Sequence, residues 1–330
     1  MRILVTRQIP ELAPQLLRAA GHEVQMNCAP RELTPAELLD QARHADALLT
    51  MLTNRIDGPF LAQHPQIRAI ANYAVGYNNI DVAACTARRV GVTNTPGVLT
   101  DATAEIAWTL LMMAARRGGE AERLVRGGTW AGWEPLQMLG VDVVGRTLGI
   151  VGAGRIGTRM ARMAAGFDMR VIYNHRRPNK EMDDLGGAGG ARRVPLEELL
   201  READFISLHV PLSDATRHLI GRKELALMKP TAVLINTARG PVVDEEALVE
   251  ALREKRLFAA GLDVYEREPA LHPGLFELEN VVLLPHIGSA TVSTRNRMAQ
   301  MAAENLIAML AGRKPATPVN PELWDDGRHS

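Results

Sequence analysis

Short apolar runs alternate with amphipathic stretches over about the first hundred residues, predicting strands at 3–6, 47–50, 67–72 and 90–94. A helix is predicted over 10–20, stopped by Gly21, and strands alternating with helices imply parallel βαβ units. A long helical stretch follows from about 101, with Ile106, Leu110 and Met113 on one face, and ends at the glycines of 118–119 or 127–128. From Gly145 the alternation restarts, with strands at 147–151, 169–173, 204–209, 232–236, 259–264 and 281–284. Helices are predicted between them at 156–165, 196–202 and 245–253, with a shorter piece at 223–228. Six strands with helical crossovers describe a doubly wound sheet. A last helix, about 292–311, carries Met298, Leu306 and Leu310 near its apolar face; no strand follows it, so it is expected to pack back on the first domain. Residues 315–330 read as an extended tail.

Composition narrows the function classes. A chain of 330 residues is long enough for about two domains. With 46% hydrophobic and 23% charged residues it is a globular chain and not a disordered one. Its 38 basic residues balance 38 acidic ones, which argues against a general nucleic-acid partner, and an aromatic content of 4% offers few platforms for bases. The longest apolar run, around 107–115, is about half of what spans a bilayer, so no membrane partner is expected. The first residues read as a strand and a turn without the apolar stretch of a signal peptide, and the expected location is cytoplasmic. Cys28 and Cys85 form neither a metal pattern nor a disulfide framework and are expected to be reduced packing residues; no metal site is expected.

The chemistry sits at strand ends. Gly152, Gly154, Arg155, Ile156 and Gly157 lie in a G-x-G-x-x-G run that follows a predicted strand and opens a predicted helix. In that setting glycines let the backbone approach a pyrophosphate at a helix N-terminus; alone, the pattern also fits an ordinary turn. After the next strand, where sites for NAD place an acid, the chain has Asn174, His175, Arg176 and Arg177. Arginines suit a 2′-phosphate, although a solvated basic turn would look the same. Arg239, Glu268 and His286 each follow a predicted strand on the edge where open α/β sheets bind ligands. Singly they read as a surface charge, one acid of a charged turn and a loop cap. Together they can hold a carboxylate, orient a histidine and transfer a proton.

The segments NYAVGYNNID at 72–81, TNTPGVLTDATAE at 93–105, LGIVGAGRIG at 148–157, INTARG at 235–240, GLDVYEREP at 261–269 and PHIGSAT at 285–291 resemble signatures of the D-isomer-specific 2-hydroxyacid dehydrogenase family. Within it the chain is similar to the glyoxylate/hydroxypyruvate reductase branch. The resemblance implies an α/β fold of two doubly wound parallel-sheet domains, a Rossmann nucleotide domain inserted into a flavodoxin-like substrate domain. The implied boundaries are 1–98 with 287–330 for the substrate-binding domain and 99–286 for the NAD(P)-binding Rossmann domain. It implies an active site of Arg239, Glu268 and His286, with the backbone amides of Val75 and Gly76 on a substrate carboxylate. Asp263 matches the family's aspartate on the nicotinamide carboxamide, and further cofactor contacts are implied at Thr103, Thr237, Ala238 and Gly288. NAD-preferring members carry an acid where this chain has Asn174–Arg177, so NADPH is the expected preference, with NAD possible.

The implied reaction is hydride transfer to a small 2-oxo acid, glyoxylate or hydroxypyruvate, giving glycolate or D-glycerate. His286 acts as general acid, Glu268 stabilises the imidazolium, and Arg239 anchors the carboxylate. Competing substrates are a 2-ketogluconate or a branched 2-ketoacid. Phosphoglycerate dehydrogenases often carry a C-terminal regulatory domain, formate dehydrogenases have Gln in place of Glu268, and the phosphite-oxidising branch has Lys in place of Val75. A corepressor-like binding protein, from a different function class, would be expected to carry long disordered arms. The resemblance also implies a homodimer in which Trp133, of the segment 127–139 that also holds Trp130, reaches the partner's substrate site. The alternative is that these tryptophans fold onto their own subunit's core.

Overall fold

The computed structural model describes residues 1–185 and 190–325. Two compact units divide the chain: Met1–Leu99 with the segment from Ser289 onward, and Thr100–Gly288.

The first unit is a five-stranded parallel sheet: β1 Arg2–Val5, β2 Glu23–Met26, β3 Ala47–Thr50, β4 Ala69–Asn72 and β5 Gly91–Thr93, in the order β2-β1-β3-β4-β5. That is the flavodoxin-like order. β3 and β4 are buried at every position, as parallel strands covered on both faces should be. The apolar pattern misses β2: as an edge strand of sequence Glu-Val-Gln-Met it alternates between exposed and half-buried and shows no apolar run. The helix Val292–Leu310 packs on the helix Leu12–Ala19 and across β4, as expected for this last helix.

Two expectations fail here. Residues 315–325 of the expected tail are not free: Pro318 bridges Thr93 in antiparallel sense, the Val319 amide donates to the Val92 carbonyl, and Thr317 Oγ1 donates to the Asn94 carbonyl at 2.6 Å. Buried Asn320 accepts from the Val92 amide and donates to the Val90 carbonyl, and the short helix Glu322–Asp325 follows. The segment thus satisfies an edge that β5 would otherwise present to solvent. Residues 326–330 lie outside the described residues. Of the two cysteines only Cys85 is a packing residue, whereas Cys28 is exposed; both are free thiols.

The second unit holds seven parallel strands: β6 Thr147–Val151, β7 Arg170–Asn174, β8 Arg192–Arg193, β9 Phe205–Leu208, β10 Val233–Asn236, β11 Ala259–Leu262 and β12 Val281–Leu283. Their order is β12-β11-β10-β9-β6-β7-β8, a Rossmann arrangement whose topological switch lies between β6 and β9. The seventh strand, β8, consists of two exposed arginines and has no apolar signature. Alternate residues of the central strands feed two cores. Leu148, Ile150, Phe205, Val233 and Ile235 pack with Leu110, Leu111 and Ala114 of the helix Thr100–Ala115. Ile206, Leu208, Leu234 and Leu262 pack with Leu199 and Leu248, from the helices Leu196–Glu202 and Glu245–Arg253.

Between the helix Gly118–Arg126 and β6 the chain forms no regular element, and Trp133 and Leu136 there are 81% and 80% exposed. Trp130 and Leu139 are exposed as well. These side chains therefore do not fold onto their own subunit's core. Among the described residues no helix is long and apolar enough to cross a membrane, and no group of three His, Cys, Asp or Glu is placed to hold a metal.

Candidate active site

β6 ends at the glycine turn, and the helix Arg155–Met163 starts from it. Gly152 has φ +99, and a Cβ there would stand 2.7 Å from the backbone of His209. A Cβ on Gly157 would stand 2.2 Å from the Gly152 carbonyl oxygen, so the helix can approach the turn only without a side chain. Gly154 differs: nothing lies within 4 Å of its would-be Cβ. The two outer glycines are required by the fold, while the middle one leaves open space at a helix N-terminus, the place a pyrophosphate takes in this turn. Asn179 steadies the turn by donating to the Ala153 carbonyl at 2.8 Å and to Thr158 Oγ1 at 3.2 Å. His209, beside the turn, points Nε2 at Ser207 Oγ; desolvation pushes its pKa down to about 3, so it adds no positive charge there. The residues present fit a dinucleotide.

Past β7 the basic turn is reinforced by a residue that the motif comparison does not single out. Arg193, on β8, donates from Nε to the His175 carbonyl at 2.9 Å and from Nη2 to the Arg176 carbonyl at 3.1 Å. Neighbouring Arg192 is neutralised by Glu198 and Glu202. Arg176, Arg177 and Arg193 pair with no carboxylate among the described residues. Burial, and then the charges of Arg176 and Arg193, push the His175 pKa below its ordinary value. Asn174 is tied to the Val194 carbonyl. The result is a cluster of uncompensated cations at the end of the second Rossmann strand.

Arg239, Glu268 and His286 are brought together by the turns after β10, β11 and β12. Gly240 lies so close to the Tyr265 backbone that a Cβ would stand 1.8 Å from it, which draws the Arg239 turn against the one carrying Glu268. Tyr265 donates its hydroxyl to the Leu284 carbonyl at 2.8 Å, tying that turn to the His286 segment. Glu268 Oε1 accepts from the Tyr265 amide at 2.9 Å, and Oε2 stands 2.8 Å from His286 Nδ1. The other ring nitrogen, Nε2, has no partner among the described residues. His286 itself sits at φ +52, a conformation that costs about 1–3 kcal/mol in a non-glycine residue and persists only where its surroundings impose it. Burial pushes the Glu268 carboxyl up, but the bond to His286, the charge of His286, the Tyr265 amide and Arg239 outweigh it, and the net pKa is lowered. Burial lowers the Arg239 pKa and Glu268 opposes the change; a guanidinium nevertheless stays charged at neutral pH. An orienting carboxylate, an oriented imidazole with one free nitrogen and a desolvated cation are equipped to bind an anion and transfer a proton.

Asp263 is almost fully buried, and its oxygens accept from the amides of Ile287 and Gly288, each at 2.7 Å. It anchors the segment that carries His286, and burial is the main reason its pKa is raised. Gly288 is wedged between Asp263 and Thr103. Ala238 is buried and its carbonyl accepts from Arg239 Nη1 at 2.7 Å; Thr237 Oγ1 is buried without a partner among the described residues. In the other unit, Asn94 Nδ2 donates to the Val75 carbonyl at 2.7 Å and Asn72 Nδ2 to the Gly76 carbonyl at 2.8 Å. With both carbonyls tied back, the amides of Val75 and Gly76 have no acceptor among the described residues, which suits them to a carboxylate.

Comparison with known proteins gives the chain a family. The family model for the D-isomer specific 2-hydroxyacid dehydrogenase NAD binding domain matches residues 108–288. A glyoxylate reductase of Thermococcus onnurineus (strain NA1) is 51% identical over 327 residues, covering 98% of this chain and 96% of the relative. A crystal structure of a Thermus thermophilus protein superimposes with a TM-score of 0.90 at 46% identity, covering 97% of this chain and 100% of that one. An NADPH-dependent glyoxylate/hydroxypyruvate reductase of Sinorhizobium meliloti, in complex with NADP and malonate, gives 0.83 at 34% identity with 97% of both chains covered. This chain belongs to the D-isomer specific 2-hydroxyacid dehydrogenase family, and it is an oxidoreductase built on that family's NAD binding domain.

Proposed function

We propose that the protein reduces glyoxylate and hydroxypyruvate to glycolate and D-glycerate, preferring NADPH, with His286 as the general acid. The observation that carries the acid's assignment is the His286–Glu268 pair: Glu268 holds Nδ1 at 2.8 Å and leaves Nε2 for the substrate oxygen. The nicotinamide cofactor, when bound, supplies the hydride that the substrate's carbonyl carbon accepts. The chain's own residues do the rest. The Arg239 guanidinium receives the carboxylate, and its charge polarises the carbonyl as its oxygen becomes negative. Protonated His286 gives its Nε2 proton to that oxygen, and the neutral imidazole left behind is ready for the reverse reaction. Glu268 favours the charged imidazolium before transfer and fixes the ring's orientation.

The cofactor preference is supported by Arg176, Arg177 and Arg193, a cation cluster fit for a 2′-phosphate, and by the NADPH-dependent reductase among the similar structures. The buried orphan hydroxyl of Thr237 and the neighbouring Ala238, Asp263, Thr103 and Gly288 are proposed cofactor contacts. The open space at Gly154 and the helix start at Arg155 and Ile156 are proposed for the pyrophosphate. We also propose a homodimer, supported by the exposed Trp130, Trp133, Leu136 and Leu139, since an apolar group of this kind marks an association surface; Trp133 would then contribute to the partner's substrate site. A panel of 2-oxo acids compared by kcat/KM with both nicotinamide cofactors tests the assignment. Glyoxylate and hydroxypyruvate should lead with NADPH; a leading 2-ketogluconate or branched 2-ketoacid would overturn the substrate assignment.

A further inference from the structure

Glu245 is a buried carboxylate that the proposed chemistry does not use. It is the first residue of the helix Glu245–Arg253, is 7% exposed, and has no cationic partner among the described residues. A charge in that setting is costly unless hydrogen bonds satisfy it. Its Oε2 accepts from the Glu266 amide at 2.8 Å and its Oε1 from the His272 amide at 2.5 Å, so one carboxylate grips both ends of the turn containing Glu268. Glu266 returns the contact by accepting from the Glu245 amide, and its other oxygen meets His218 Nε2 at 2.8 Å. Inside the grip, Arg267 and Ala270 bridge each other, and Glu268 is free to accept from Tyr265 and reach His286. The helix start adds partial positive charge on the side where the carboxylate sits.

We propose that Glu245 is a positioning residue for proton transfer: it fixes the 266–272 turn so that the Glu268 carboxylate stands against His286. Glu245 bonds the backbone on either side of Glu268 and acts only through it. The inference rests on the His286–Glu268 assignment made above. The charged groups around Glu268 are His286 from the turn after β12, Arg239 from the turn after β10, and Asp263 at the end of β11. Displacing the turn changes the distance of Glu268 from all three.

The test uses E245Q, in which one oxygen becomes an amino group that cannot accept a backbone N–H. Reduction should slow about 10- to 100-fold, the scale of an ångström-sized displacement of a catalytic group. The falling limb of its pH profile should also move to lower pH, as in E268Q, while calorimetry finds ADP affinity unchanged. A purely structural role would lower the yield of folded enzyme without moving the profile. Should E245Q not fold, H272P takes its place. His272 already has φ −60, which proline adopts, so the change removes one of the gripping N–H groups and keeps the carboxylate. H272A, which keeps that N–H, should leave the profile where it is. An unmoved profile in E245Q or H272P, with E268Q displaced, overturns the role of Glu245 alone. An unmoved profile in E268Q overturns the underlying assignment and the inference with it.

Discussion

The three glycines of the nucleotide turn should separate folding from ligand binding when each is changed to alanine. At Gly157 the added Cβ meets the Gly152 carbonyl oxygen at 2.2 Å and Ile150 Cγ2 at 2.9 Å. A backbone oxygen cannot yield as a side-chain tip does, so helix and turn must move apart. Overpacking of this kind costs about 1–3 kcal/mol, which for a unit of this size lowers Tm by roughly 2–12 °C. Gly152→Ala should be at least as damaging, since φ +99 adds backbone strain to its contact with His209. Gly154→Ala should behave differently. Its φ of −83 suits alanine, and the added Cβ enters open space. The entropy removed from the unfolded chain, worth about 0.4–1 kcal/mol to the folded state, offsets the weaker N-cap preference of alanine, leaving Tm within roughly 2 °C.

The same methyl group at 154 should stand where a pyrophosphate needs the backbone. Loss of one charge-assisted hydrogen bond, about 1.5–3 kcal/mol, weakens binding of ADP or of the whole dinucleotide by about 10- to 100-fold. Differential scanning calorimetry without ligand and titration calorimetry with ADP measure the two effects separately. If Gly154→Ala lowered Tm as far as Gly157→Ala does, or left ADP affinity unchanged, the division of the motif into two structural glycines and one ligand-facing glycine would be wrong.

His286→Ala should lower kcat for reduction about 10²–10⁴-fold, the range for a positioned general acid, with ADP affinity unaffected. Glu268→Gln should move the falling limb of the reduction profile to lower pH: the lowered Glu268 pKa keeps its carboxylate charged at neutral pH, and the variant loses that negative charge beside the proton donor. Initial rates at saturating cofactor across pH 5–9 measure this, and an unmoved limb counts against Glu268. Replacing Arg176 and Arg177 by Gln should raise KM for NADPH about 10-fold or more while changing NADH far less, and Arg193→Gln should do the same to a smaller extent by loosening the turn. Equal use of both cofactors by the unmodified enzyme would refute the assignment. Trp133→Ala should relax discrimination against bulkier 2-oxo acids by no more than about 1–3 kcal/mol, and sedimentation at micromolar concentration should find a dimer; a monomer or an unchanged substrate profile would contradict the proposed surface.

Much of this architecture is legible in the sequence because buried parallel strands impose a simple rule. β3, β4, β9 and β10 are buried at every position, so each appears as an apolar run, interrupted in β9 by buried Ser207, and polar residues at or after the last position mark strand ends. Arg239 and His286 stand out for that reason, and the glycine motif does so because two of its positions have no room for a side chain. The edges obey no such rule. β2 and β8 bury little, and their hydrogen bonds to β1 and β7 depend on backbone register, which hydropathy does not record. The segment 315–330 reads as a tail because residues such as Thr317 and Asn320 are polar, yet the polar groups of these two are what close the edge of β5.

What stays hidden is whatever depends on which backbone atoms a long-range contact selects. Glu245 lies in an acidic stretch, Asp244-Glu245-Glu246, that by composition alone is the solvated first turn of a helix. Asp244 does cap that helix and Glu246 is exposed, but Glu245 turns inward to amides 21 and 27 residues away. Arg193 likewise belongs to an Arg-Arg pair in which one member is neutralised locally and the other holds two carbonyls of a distant turn. In both cases residue type gives the charge and spacing gives the element, but only the fold decides whether that charge meets water, a counter-ion or the backbone of a functional loop. Residues proposed to act through their own side chains are therefore legible from motifs, while those proposed to hold such side chains in place have to be found from hydrogen bonds.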